Sequence, residues 1–126
     1  MAQLRFLVAD GEYIIAMEAE RILRELLPCE VAIVNPAALE AQADTAWEGL
    51  ALALLDTGFQ LVEEVAGLAG LLRQRGVPVV FTTANAAFLR GVPGFPEVPV
   101  LGKPFDPARF AEVILPLVGA TRGAEA

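Results

Sequence analysis

Residues 51–60 read ALALLDTGFQ: an unbroken apolar run, then one acid, then a glycine two residues on. A run of Leu and Ala with no polar alternation fits a central parallel strand covered on both faces, because a half-solvated strand would alternate. Strands of this kind end at the edge of an open α/β sheet, where ligands bind. The acid that closes the run, Asp56, is therefore the first candidate for chemistry. Aspartate also caps turns by bonding its own backbone, the simpler use for Asp56 beside Thr57 and Gly58.

Working outward, the pattern repeats. Leu4 to Ala9 (LRFLVA) is a second apolar run that ends at an acid, Asp10-Gly11. From Ile14 to Leu27 the residues Ile15, Ala19, Ile22, Leu23, Leu26 and Leu27 recur at helical spacing, and Pro28 marks the stop. Val31 to Val34 reads as the second strand. Asn35-Pro36 supplies a cap and a first-turn proline for a thinly amphipathic helix through about Glu48, under which Trp47 is expected to pack. The third strand, Ala51 to Leu55, leads through Thr57-Gly58-Phe59 to a helix from about Leu61 to Arg75, with Gly76 as its C-cap. Val77 to Thr82 is the fourth strand.

Ala84 to Arg90 allows at most a short helix. The segment that follows, GVPGFPEVP (residues 91–99), is dense in proline and reads as a rigid loop. Val98 to Leu101 is the fifth strand. Asp106 and Pro107 cap a last helix to about Val118, with Phe105, Phe110, Val113, Ile114 and Leu117 inward. Residues 1–120 are expected to form one domain and 121–126 a tail. Short strands alternating with helices predict a doubly wound α/β fold, a five-stranded parallel sheet with helices on both faces.

Composition narrows the chemistry. The 126 residues suffice for one hydrophobic core. No apolar run is long enough to span a membrane and residues 1–10 lack a signal peptide's pattern, so a cytoplasmic protein is expected. The chain has no histidine and a single cysteine, Cys29, which rules out histidine metal sites, Ser-His triads and an internal disulfide. A net charge of −7 with scattered arginines argues against a nucleic-acid surface. The first turn, Asp10-Gly11-Glu12-Tyr13, carries acids where a dinucleotide site needs glycines, so a Rossmann site is not expected. Aspartate is rare beside glutamate, and Lys103 is the only lysine among nine basic residues.

The carboxyl ends of four expected strands carry Asp10, Asp56, Thr83 and Lys103. In a parallel sheet these ends share one edge. Two carboxylates, a hydroxyl and an ammonium there suit phosphoryl transfer, with Asp56 as nucleophile and a divalent cation offsetting charge. A haloacid-dehalogenase-type hydrolase uses the same groups, but its nucleophile follows the first strand in an Asp-x-Asp pattern, which Asp10-Gly11-Glu12 only imitates.

The pieces FLVADGE, LALLDTGF, PVVFTTA and LGKPFDP, in this order, resemble the receiver domains of two-component response regulators over Leu4 to about Val118. The Lys-Pro pair after the fifth strand is the most specific of them. FLVADGEYIIAMEAERILREL and VFTT are similar to the stand-alone single-domain receivers of alphaproteobacteria. The resemblance implies a flavodoxin-like (CheY-like) sheet of strand order 2-1-3-4-5 with a shortened fourth helix. It implies Asp56 as phosphoacceptor, Thr83 as switch hydroxyl, Lys103 as the phosphate-pairing lysine, Asp10 as a magnesium-site acid, and Gly58 as the residue whose carbonyl faces the metal. The partner it implies is a sensor histidine kinase or histidine phosphotransfer protein. Receivers carry a second acid where this chain has Gly11, so Mg2+ binding is expected to be weak, with Glu12 the nearest substitute. Val100 replaces the usual aromatic on the fifth strand. Two readings follow: a receiver phosphorylated on Asp56, or a degenerate receiver that binds a protein partner without being phosphorylated.

Overall fold

The computed structural model describes residues 4–36, 49–58 and 60–125, the last six of these as backbone only. Five strands, β1 (Leu4–Ala9), β2 (Cys29–Val34), β3 (Leu52–Asp56), β4 (Val79–Thr83) and β5 (Val100–Gly102), form one sheet of order β2-β1-β3-β4-β5. Every pairing is parallel. The described helices are α1 (Tyr13–Leu26), α2 (Glu63–Gln74) and α3 (Pro107–Glu125). The helix expected from Pro36 to Glu48, with Trp47, lies outside the described residues.

The central strand shows why the sheet has this shape. Successive side chains of β3 point to opposite faces, so Leu52 and Leu54 enter one core with α1 and α3, while Ala53 and Leu55 enter the other with α2. Both faces are sealed, as the unalternating LALL predicts. In α1 the buried positions are Ala16, Ala19, Ile22 and Leu23, and its outer face is laced by Arg21 with Glu18 and Glu25 and by Arg24 with Glu20. That face pairs its own charges.

Helix ends follow local chemistry. Gly76, at φ +79°, closes α2: its N–H donates to the Arg73 carbonyl and the Val77 N–H to the Leu72 carbonyl, a Schellman pair that requires the left-handed residue. Asp106 starts α3, its Oδ1 accepting from the Ala108 N–H at 3.2 Å. The helix then runs to Glu125, past the stop expected near Val118. Gly119 costs a helix only about 1 kcal/mol relative to alanine and does not end it unaided. Pro116 is accommodated on the exposed side.

The fourth helix is reduced to one 3-10 turn, Ala86–Phe88, capped by Asn85 Oδ1 on the Ala87 N–H at 3.0 Å. The proline-rich segment after it does the covering instead. Val92 and Val98 are buried in the α2-side core, and Phe95 packs edge-on to Phe81 with ring centroids 5.3 Å apart. Among the described residues no helix is long and apolar enough to cross a membrane.

Candidate functional site

Strand register delivers the polar residues to one rim. Asp10 follows β1, its N–H donating to the Val34 carbonyl; Asp56 ends β3 opposite Thr82; and the Lys103 N–H donates to the Thr83 carbonyl at 2.9 Å, extending the β4–β5 pairing by one residue. The Lys103–Pro104 bond that follows is cis.

Lys103 is the hub. Its Nζ lies 2.7 Å from Asp10 Oδ2 and 3.0 Å from Asp56 Oδ1, with Glu12 Oε1 further out at 3.9 Å. The side chains of Lys103 and Asp10 are 6% and 3% exposed, so this pairing is buried, whereas Asp56 is 15% exposed and faces outward. Burial pushes the lysine pKa down, but the hydrogen bonds and charges of Asp10 and Asp56 outweigh it and hold the ammonium above its ordinary value. Lys103 is thus a permanent cation at neutral pH. Asp10 also shapes the turn into α1, where its Oδ1 accepts the Glu12 N–H at 2.8 Å.

Above Asp56 opens a cleft of about 290 Å³ lined by Glu12, Asp56, Gly58, Ala84, Asn85, Ala86 and Lys103. Gly58 adopts φ +64°, which its lack of a side chain permits. Thr83 does not line this cleft. It is fully buried, and its Oγ1 accepts the Asn85 N–H at 2.9 Å and shares a 2.8 Å hydrogen bond with Thr57 Oγ1. Thr57 Oγ1 also donates to the Gly58 carbonyl at 2.8 Å. Of the residues expected at the site, Asp10, Asp56 and Lys103 are thus in direct contact, and Gly58 borders the same cleft. Thr83 sits one layer down.

Thr57 and Asn85 do not stand out in the sequence. The signal that finds them is register: once Asp56 lies opposite Thr82, Thr57 falls beside Thr83.

As a cation site, the rim offers the Asp10 and Asp56 carboxylates and the Gly58 carbonyl. These are hard oxygens of the kind Mg2+ takes alongside water and phosphoryl oxygens, so the donor chemistry fits. The set is sparse, however. Gly11 contributes no side chain, and among the described residues no group of three or more acids, histidines or cysteines is placed to hold a metal. The single charge of Lys103 is already shared between both carboxylates.

No family model matches the sequence, and no curated protein does. Solved structures do. The chain is similar to SdrG from Pseudomonas melonis Fr1 in its BeF3-activated conformation, at 28% identity and TM-score 0.69 over 94% of this chain and 99% of that one. It is similar to the PhyR receiver domain of Erythrobacter litoralis, at 27% identity and TM-score 0.69 over 94% and 92%. It also matches the response regulator PhyR from Brucella abortus, at 22% identity and TM-score 0.71, where it spans 51% of that longer chain. Because the likeness to the first two covers more than nine-tenths of either partner, and the strand order is the one that carries Asp56 and Lys103 to a common rim, the chain has the fold of a response-regulator receiver domain.

Proposed function

We propose that this receiver accepts a phosphoryl group on Asp56 from a phosphohistidine of a sensor kinase or phosphotransfer protein. The observation that carries the reading is the buried Lys103 ammonium bonded at once to Asp56 and Asp10, beside a cleft open enough to admit a phosphoryl group. An Asp56 carboxylate oxygen attacks phosphorus as the P–N bond to the donor imidazole breaks, and the departing imidazole retains the electron pair. Lys103, locked as a cation, swings part of its charge to the incoming phosphoryl oxygens. Thr83 supplies a hydroxyl to the same group. Asp10, Asp56 and the Gly58 carbonyl would hold Mg2+, weakly, and that ion would supply further positive charge to the phosphoryl oxygens.

Phosphorylation would replace the single negative charge of the Asp56 carboxylate with a phosphoryl group carrying about 1.5 to 2, where only one lysine offsets two aspartates, and that change is the signal a partner reads. The test is incubation with acetyl phosphate and Mg2+ followed by intact-mass measurement. One phosphoryl adduct is expected on the wild type and none on Asp56→Asn. A wild type that stays unmodified across a full Mg2+ titration would overturn the assignment.

A further inference from the structure

Thr83, the hydroxyl expected to meet the phosphoryl group, is held out of the cleft by a neighbour. Its Oγ1 takes the Asn85 N–H at 2.9 Å and shares a 2.8 Å hydrogen bond with Thr57 Oγ1, which in turn bonds the Gly58 carbonyl at 2.8 Å. Either hydroxyl can donate in the shared bond, so proton counting decides the direction. A carbonyl only accepts, so the Thr57 proton goes to Gly58. The Thr83 proton then goes to Thr57, and the Asn85 N–H completes Thr83. This chain leaves no proton idle, consistent with the absence of unpartnered buried side-chain polar atoms among the described residues. In the opposite direction Thr57 would donate to Thr83, and the proton of a residue 0% exposed would have nowhere to go.

We infer that Thr57 is a positioning residue that restrains Thr83: its hydroxyl holds the Thr83 proton away from the cleft and so opposes the phosphoryl-bound state. The inference rests on the phosphoacceptor reading above. In the wild type, turning the Thr83 proton to a phosphoryl oxygen exchanges one hydrogen bond for another. With valine at position 57, which keeps the β-branched shape and loses the hydroxyl, the resting Thr83 proton is unpaired and gains a partner only when the phosphoryl group arrives. Removing the Thr57 hydroxyl therefore has effects of opposite sign. The ligand-free fold loses more than the phosphoryl-bound form does, so stability falls while affinity for the phosphoryl group rises. A Thr57 that merely supported the loop would lower stability without raising affinity.

The experiment is a calorimetric titration of beryllofluoride, a phosphoryl mimic, with Mg2+ into wild type, Thr57→Val and Thr57→Ser, alongside urea unfolding of each ligand-free protein. Thr57→Val is expected to bind roughly three- to tenfold more tightly, the equivalent of one hydrogen bond, and to unfold at lower urea. Thr57→Ser should track the wild type in both. In a Thr83→Val background the substitution at 57 should shift affinity less than about twofold. If Thr57→Val does not fold, Thr57→Ala makes the same comparison. Binding by the wild type with equal or weaker binding by the hydroxyl-free variant overturns the inference and leaves the phosphoacceptor reading standing. Absence of binding by the wild type removes both.

Discussion

At position 11 the chain has backbone and nothing more, and this single omission sets the charge balance of the rim. An aspartate fits there. Gly11 is exposed, its φ is not positive, and a Cβ built on it meets only Asn35 Oδ1, at an ordinary 3.8 Å. Gly11→Asp should raise Mg2+ affinity by about tenfold or more, because charge count at the ligands tunes hard-cation binding over decades. Without the ion the added carboxylate joins Asp10 and Asp56 against one lysine, so the metal-free protein should lose about 0.5–1 kcal/mol. Calorimetric Mg2+ titration and urea unfolding read the two effects; an unchanged affinity would mean that a missing acid is not what limits the site. Residues of this kind are legible where their chemistry is scarce. Lys103 stands out as the sole lysine among arginines, and its one Nζ sits at 2.7 and 3.0 Å from two separate carboxylates, a point contact that a planar guanidinium would spread over several nitrogens. The Thr57–Thr83 bond was not legible, because threonine is common in strands and only the sheet register brings these two together.

Among the elements, the segment from Val92 to Val98 has taken over the covering work of a helix. Val92 and Phe95 pair across a tight turn in which Gly94 has φ +88°, and Phe95 lies edge-on to fully buried Phe81. Truncating that ring removes both its apolar cover and the aromatic contact. Phe95→Ala should therefore cost about 1–3 kcal/mol in urea unfolding, without abolishing the acetyl-phosphate adduct, since Asp56 and Lys103 are held by β3 and the end of β5. A loss below about 0.5 kcal/mol would show that the loop is not part of the core. Element types followed from periodicity: the apolar runs became strands, and Gly76 and Asp106 fell where helix ends need them. Boundaries moved where backbone pairing overrides pattern. β3 includes Asp56 because it pairs with Thr82, and β5 starts only at Val100, where partners on β4 begin. The prolines at 93, 96 and 99 signalled rigidity, but they carry no periodicity and so did not reveal that Val92 and Val98 are buried.

The Lys103 cluster joins β1, β3 and β5 on one side of the molecule, so its protonation is felt by the whole fold. The folded-state pKa of Lys103 lies above the ordinary 10.5, because Asp10 and Asp56 favour the ammonium more than burial disfavours it. A group raised on folding binds its proton more tightly in the native state. Its contribution to stability is therefore fully present below pH 10.5 and is lost as pH rises through the higher folded value. Above that range, deprotonation leaves two buried or half-buried carboxylates facing each other with no cation between them. Lys103→Met should thus be less stable than the wild type at pH 7 to 9, and the gap should close as pH rises beyond 10.5. Groups common to both proteins and remote from the cluster cancel in the difference. Urea midpoints of the two proteins, measured in parallel between pH 8 and 12, give the test. A gap that stays constant across that range would mean that the ammonium contributes by packing alone and that the three strands are not tied together by its charge.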